Sequence, residues 1–276
     1  YLVSTPIGNV NDITIRAIRI LNSSSTIVCE DTRVSKKLFY HLGLPTKKKN
    51  WLIYNDHSSD KDIIKVLNEL DKDKVISLIS DAGTPLISDP GYKLLKRIRQ
   101  SRHNIFSLPG PCAATASLII SGLKTDKFCF LGFLPKNKND YIGTIRDYAK
   151  LNCSLIIYEK PKKLIFFLEI IKENFKCFKL AIVKELSKLY EDFFFITEQN
   201  IDNFLKASKK IRGELTIIAE LSASNEKIYS DLEIINELKK LKPSQVSAML
   251  SKSSSQSRDI LYKRCMDLLN EKFLKK

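Results

Sequence analysis

The sequence predicts an α/β protein made of two α/β domains and a helical C-terminal tail. Three observations lead there. Over residues 1–120, short apolar runs alternate with amphipathic stretches, the pattern of a mostly parallel sheet with crossing helices. A polar break, Ser121-Gly122-Leu123-Lys124-Thr125-Asp126, then separates these runs from a second set. After Leu221 the apolar period is helical only. The expected divisions are residues 1–122, 123–222 and 223–276.

In the first unit, strands are expected at 1–4, 26–29, 51–54, 75–80 and 105–108, with helices at 13–21, 35–42, 60–70 and 92–100. Several of these apolar runs lack polar alternation, as strands covered on both faces do. In the second unit, strands are expected at 128–133, 154–158, 180–183, 193–197 and 214–220, and helices at 141–149, 161–174 and 200–207. Some of these strands are neighbours in sequence, so the second sheet is expected to be mixed. The tail reads as helices at 230–240, 243–251 and 256–274, with a polar break at 252–257. That break resembles a helix-turn-helix, but plain solvated helical tails share the pattern and are the reading taken here.

The chain has 276 residues, 43% of them hydrophobic, enough for a sizeable core. No apolar run approaches the roughly 20 residues that cross a bilayer, so no membrane partner is expected. Tyr1-Leu2-Val3-Ser4-Thr5-Pro6 reads as a strand entering a loop, not as a signal peptide, and the absent initiator methionine implies trimming. The six cysteines show neither Cys-x-x-Cys nor a Cys–His ligand spacing. A reduced, cytoplasmic protein without disulfides or metal is expected. The net charge of +15 favours a polyanionic partner, although a Lys-, Ile- and Asn-rich composition alone also raises it.

The chemistry is concentrated in loops that follow strands. The strongest is Ser80-Asp81-Ala82-Gly83-Thr84-Pro85-Leu86-Ile87-Ser88-Asp89-Pro90-Gly91. Ligands of open α/β sheets sit outside the carboxyl ends of the strands, and glycines there admit close backbone approach. Twelve turn-forming residues exceed what a plain connection needs. The first loop, from Ser4 to Thr14, is neither Gly-x-Gly-x-x-Gly nor a phosphate-gripping loop, which argues against dinucleotide and P-loop chemistry. Glu30-Asp31-Thr32-Arg33 places two carboxylates and an arginine at a strand end, where capping and proton handling are both open. Leu108-Pro109-Gly110-Pro111-Cys112-Ala113-Ala114 supplies small residues for close packing.

In order and spacing, seven motifs resemble those of the ribosomal RNA small-subunit methyltransferase I family, within the tetrapyrrole-methylase-like enzymes. They are Thr5-Pro6-Ile7-Gly8-Asn9, Glu30–Arg33, Ser80–Gly91, Pro109-Gly110-Pro111, Gly132-Phe133-Leu134-Pro135, Tyr158-Glu159-x-Pro161 and Lys184-Glu185-Leu186. The resemblance covers residues 1–220 strongly and the tail more loosely. Cys112 stands where a serine is usual, and Lys160 and Lys162 where Ser and His are common.

The resemblance implies two α/β domains of the tetrapyrrole-methylase type with S-adenosyl-L-methionine in the cleft between them, and a homodimer. It implies 2′-O-methylation of cytidine 1402 in the decoding centre of 16S rRNA in the small ribosomal subunit. Donor contacts would come from Pro6, Asp81, Ala82, Gly83, Thr84, Pro85, Leu86, Cys112, Ala113, Glu159, Glu185 and Leu186. Glu30, Asp31 and Arg33 would be catalytic. The substrate loop would be Pro135-Lys136-Asn137-Lys138-Asn139, with Lys136 and Lys138 meeting RNA phosphates.

Methyl transfer to a hydroxyl needs alignment, exclusion of water and a route for the proton. Glu30, Asp31, Asp81, Asp89 and Glu185 are the candidate bases, while His41, His57 and His103 lie outside the motif loops. Two alternatives remain open: a tetrapyrrole-precursor methyltransferase of the same fold, and a non-catalytic RNA-binding ribosome-assembly factor. The Thr-Pro-Ile-Gly-Asn loop speaks against the first, and the concentration of motifs at one ligand edge speaks against the second.

Overall fold

The computed structural model describes residues 1–207, 211–222, 229–251, 254, 256 and 258–273. Strands β1 (Leu2–Val3), β2 (Thr26–Cys29), β3 (Asn50–Ile53), β4 (Ile76–Leu78) and β5 (Ser107–Leu108) form one sheet in the order β3-β2-β4-β1-β5. Every pairing in it is parallel. The alternation along β2 feeds two cores. Ile27 and Cys29 pack with Ala17, Leu21 and Phe39 of helices α1 (Ile15–Ser23) and α2 (Thr32–His41). Val28 points the other way, to Ile63, Val66 and Leu94 of α3 (Asp60–Leu70) and α4 (Tyr92–Arg99). Both faces are therefore covered, as the unbroken apolar runs predict.

Helix starts follow capping chemistry. Thr14 Oγ1 accepts the Ala17 amide at the start of α1, and Ser59 and Asp62 form a capping box at α3. Asp31 Oδ1 accepts the Arg33 amide at 2.7 Å, so α2 begins at Thr32, three residues before the apolar period would place it.

The second sheet is mixed, as expected. Strands β6 (Phe128–Phe133), β7 (Ser154–Glu159), β8 (Cys177–Lys184), β9 (Asp192–Thr197) and β10 (Leu215–Ser222) run in the order β6-β7-β10-β8-β9, and only β6 and β7 are parallel. β8 extends beyond the predicted 180–183 because β10 pairs with it along its whole length, from Leu215↔Lys184 to Ser222↔Cys177. One face packs on α6 (Lys138–Ala149), α7 (Pro161–Asn174) and α8 (Ile201–Ala207) through Ile157, Ile182 and Ile217. The other face presents Ile156, Ala181 and Ile218 to Ala114 and Leu118 of α5 (Ala113–Ile120). That helix follows the last strand of the first sheet yet packs on the second, which brings the two sheets together.

In the tail, α9 (Asp231–Leu238), α10 (Pro243–Leu250) and α11 (Arg258–Phe273) close on their own core of Ile234, Val246, Leu250, Leu261, Cys265 and Leu268. Most of the predicted polar break at 252–257 falls outside the described residues. All six cysteines are free thiols, and among the described residues no helix is long and apolar enough to cross a membrane.

Candidate functional site

The loops that leave β1, β4 and β5 meet at the carboxyl end of the first sheet. Thr5 and Gly83 form an isolated antiparallel bridge, with the Thr5 amide donating to the Gly83 carbonyl at 2.9 Å and the Gly83 amide to the Thr5 carbonyl at 3.1 Å. Ser4 Oγ and Thr84 Oγ1 share a hydrogen bond at 3.1 Å, and Thr84 Oγ1 lies 2.9 Å from the Pro111 carbonyl. A Cβ on Gly110 would fall 2.7 Å from that of Ser4, so only glycine permits this approach. Gly83 sits at φ +83°, in the left-handed region. Three of the sequence motifs are thereby joined into one rim.

Between this rim and the second sheet lies a cleft of about 400 Å³. The first unit lines it with Ile7, Glu30, Asp81, Ala82, Gly83, Thr84, Ile87, Ser88 and Asp89, and the connection into α5 adds Cys112 and Ala113. The second unit contributes Phe133, Tyr158, Glu159, Lys160 and Pro161 from the ends of β6 and β7, and Gly213, Glu214, Leu215 and Thr216 from the start of β10.

The predicted residues divide accordingly. Glu30, Asp81, Ala82, Gly83, Thr84, Cys112, Ala113 and Glu159 line the cleft. Pro6 lies between the bridging Thr5 and the lining Ile7. Pro85 shares a smaller recess with Glu30, and Leu86, at φ +70°, turns into an apolar recess beside α4. Glu185 and Leu186 do not line the cleft. Instead Glu185 Oε1 accepts the Glu214 amide at 2.7 Å, so it holds the Gly213–Glu214 turn that does. Lys136 and Lys138 are exposed, but the expected loop is shorter than 135–139: Asn137 caps α6, and Lys138 is its first residue. Phe133 falls in one of the seven motifs but is not read as a site residue from the sequence, and neither are residues 213–216. Their place at the site depends on packing, because the cleft exists only once β10 lies beside β7.

Glu30 and Asp31 behave differently although adjacent. Asp31 is the cap of α2 and a bidentate partner of the exposed Arg33, whose side chain and backbone hold its carboxyl down at about 2. Glu30 faces the cleft, where burial, with the nearby Asp89 and Asp81 adding, pushes it from the ordinary 4.5 up to about 7. Burial likewise raises Asp89 to about 6 and shifts Asp81 upward. Three crowded carboxylates on one wall disfavour their own ionisation and suit a cationic guest. Glu159, at the base of the opposite wall, is buried and held by the Tyr141 hydroxyl at 2.5 Å and the Lys160 amide at 2.8 Å. Among the described residues, no group of three or more His, Cys, Asp or Glu side chains is placed to hold a metal ion.

The profile of the tetrapyrrole (corrin/porphyrin) methylases matches residues 1–202. The ribosomal RNA small subunit methyltransferase I of Rickettsia prowazekii is 40% identical over 220 residues, spanning 79% of this chain and 76% of that protein. Its namesake in Pasteurella multocida is 31% identical over 278 residues, spanning 98% and 97%. Among solved structures, a cobalt precorrin-4 methyltransferase of cobalamin biosynthesis aligns with a TM-score of 0.58 at 14% identity, covering 79% of this chain and 93% of that one. A uroporphyrin-III C-methyltransferase of Thermus thermophilus, complexed with S-adenosyl homocysteine, aligns at 0.54 with 15% identity, covering 79% and 95%. At such identities these two structures speak for the fold alone.

Proposed function

Because the chain belongs to the tetrapyrrole methylase family, in its ribosomal RNA small subunit methyltransferase I group, we propose that it transfers a methyl group from S-adenosyl-L-methionine to a ribose 2′-hydroxyl of 16S rRNA. The target is cytidine 1402 in the decoding centre. We further propose that it acts in the cytoplasm as a homodimer on the small ribosomal subunit and needs no metal. The observation that carries this reading is the cleft, in which motif loops of the first unit face the strand ends of the second.

The residues present fit the donor. The cleft volume falls within the roughly 300–1,000 Å³ of ordinary ligand sites. Backbone at Ala82–Thr84 is open to close approach because Gly83 carries no side chain, and the Glu30, Asp81 and Asp89 wall complements a cation. Asp81, Ala82, Gly83, Thr84, Cys112, Ala113 and Glu159 would form the donor's surroundings, with Glu185 acting through Gly213–Glu214. When bound, the donor would supply a methyl on a sulfonium sulfur; its S–C bond would break as the C–O bond forms, leaving a neutral thioether, and the hydroxyl proton would pass to a cleft base.

The chain's own work is alignment and proton handling. Holding two reactants in line supplies on the order of 7–11 kcal/mol in favourable cases. Glu30 reaches half ionisation near pH 7, which suits a group that must accept a proton at neutral pH. Lys136 and Lys138, exposed at the start of α6, suit phosphate contacts that orient the RNA.

The deciding experiment is mass spectrometry of 16S rRNA nucleosides after incubating unmethylated small subunits with protein and donor. A 2′-O-methylcytidine that appears only with both supports the reading. Methylation of a porphyrinoid with none on RNA would replace it with tetrapyrrole chemistry, and donor-free RNA binding alone would leave an assembly factor.

A further inference from the structure

We propose that Phe133 is a stacking platform for the nucleobase of the target nucleotide, which leaves its RNA stack at the mouth of the cleft. The inference rests on the RNA reading above and adds the residue that meets the base.

The path of β6 aims this ring. Along β6 and β7 the register runs Phe128↔Ser154, Cys129↔Leu155 and Phe130↔Ile156, then skips Leu131 to Gly132↔Ile157 and Phe133↔Tyr158. Leu131 is the extra residue of a bulge. In a regular ladder Phe133 would oppose Glu159, on the face of Ile157 that packs against α6 and α7. A one-residue slip moves a side chain to the opposite face of a sheet. The bulge therefore carries Phe133 onto the face of Phe130 and Tyr158, where it lines the cleft. Bulges of this kind re-aim side chains beside functional sites.

The bulge is seated against the opposite wall. Gly132 lies at φ +60°, and a Cβ on it would come 2.8 Å from Ser88 Oγ, so the strand end touches the Ser80–Gly91 loop. Phe133 is held edge-on by Tyr158, with ring centroids 5.7 Å apart, and Tyr158 is braced in turn by Phe130 at 5.1 Å. Even so, 57% of Phe133 is exposed. A supported ring left this open at a cleft mouth has an apolar surface free to stack. Lys136 and Lys138 follow it by three and five positions, both exposed. Together they offer an aromatic face for a base and cations for the adjoining phosphates.

The 2′-hydroxyls of an RNA helix line its shallow minor groove, but drawing one down into a cleft shared with the donor pulls its nucleotide out of the stack, and a π-face offsets part of the stacking lost. Every base has such a face. Phe133 thus rewards the presence of a base and does not choose cytosine.

The test is a two-way cycle of binding, read by fluorescence anisotropy in the presence of S-adenosyl homocysteine. The probes are a labelled single-stranded oligoribonucleotide of the decoding-centre sequence and the same RNA with an abasic ribose at the target cytidine. For the wild type, loss of the base should weaken binding by roughly tenfold or more, the scale of one base–aromatic stack. Phe133→Ala should bind both RNAs nearly equally, Phe133→Trp should restore the preference, and Phe133→Leu should not. Calorimetry should give wild-type donor affinity for all three variants.

Equal binding of both RNAs by the wild type, a preference that survives in Phe133→Ala, or full rescue by leucine would overturn the proposal. So would loss of donor binding in Phe133→Ala, which would assign the ring to the donor pocket. Base-dependent binding without methyl transfer would strike the RNA-methylation reading and leave the platform standing. No binding of either RNA by the wild type would remove the platform, while the methylation reading stands or falls on the small-subunit assay.

Discussion

The Tyr141 hydroxyl donates to Glu159 Oε2 at 2.5 Å, joining helix α6 to the base of the cleft through two buried side chains. The other carboxylate oxygen takes the Lys160 amide at 2.8 Å. Tyr141→Phe keeps the ring and removes one of the carboxylate's two donors. Leaving a buried acceptor without its partner costs about 1–3 kcal/mol, so the variant should lose stability on that scale in denaturant unfolding. A double-mutant cycle with Glu159→Gln should return a measurable coupling energy, because the two side chains meet directly. A Tyr141→Phe protein as stable as the wild type would show that the bond contributes little.

Gly83 occupies left-handed backbone that glycine adopts without cost. Its φ of +83° disfavours any side chain, and a Cβ would meet Ile7 Cγ2 at 3.2 Å across the Thr5 bridge. Gly83→Val should therefore distort the rim and weaken S-adenosyl-L-methionine binding at least tenfold in a calorimetric titration, whereas the wild type should bind without added metal. Unchanged affinity in the variant would detach this loop from the donor.

RNA association should weaken steeply with salt, because lysines release counterions from phosphate. Each contact to a single strand contributes about 0.7 to the slope of log affinity against log salt. Lys136→Ala with Lys138→Ala should lower that slope by roughly 1.4 if both meet phosphates. A slope that stays at the wild-type value removes the start of α6 from the interface.

Much of this site was legible in the sequence, for a physical reason. Strand-end loops that must cradle a ligand are written in glycine, proline and carboxylate, so Ser80–Gly91 and Pro109–Ala113 stand out from ordinary turns. The mixed second sheet was legible as well, because β8 and β9 follow one another in sequence and pair antiparallel. What the sequence hid depends on register and packing. The bulge at Leu131 leaves no signature beyond a glycine, and α5 gives no sign that it will pack on the second sheet rather than the first. Nor does adjacency reveal that Glu185 reaches the cleft only through Gly213 and Glu214.

The carboxylates at Glu30 and Asp31 were alike in sequence, and the structure separates them. Asp31 caps α2 and pairs with Arg33 at the surface, so Asp31→Asn, which still caps a helix, should leave turnover near wild type. Glu30 faces the cleft with Asp81 and Asp89 near it, and its carboxyl titrates near 7 rather than 4.5. If Glu30 takes the proton from the 2′-hydroxyl, wild-type turnover at saturating donor should rise with pH and then level off, with its midpoint at or below about 7 because the cationic donor favours the carboxylate. Glu30→Gln should keep most donor affinity, because Asp81 and Asp89 still face the cleft, but lose most turnover and lose that rise, the mark of an interaction used mainly in the transition state. Stability gives an independent readout. Between about pH 4.5 and 7 the folded protein holds a proton on Glu30 that the unfolded chain has released. Stability from this group is thus full below 4.5 and declines as pH rises to 7. Glu30→Gln abolishes the decline, so its melting temperature relative to wild type should be higher at pH 8 than at pH 4. A variant with normal turnover and a wild-type pH profile would return Glu30 to a structural role and pass the proton to Asp89, a second cleft carboxylate, raised to about 6.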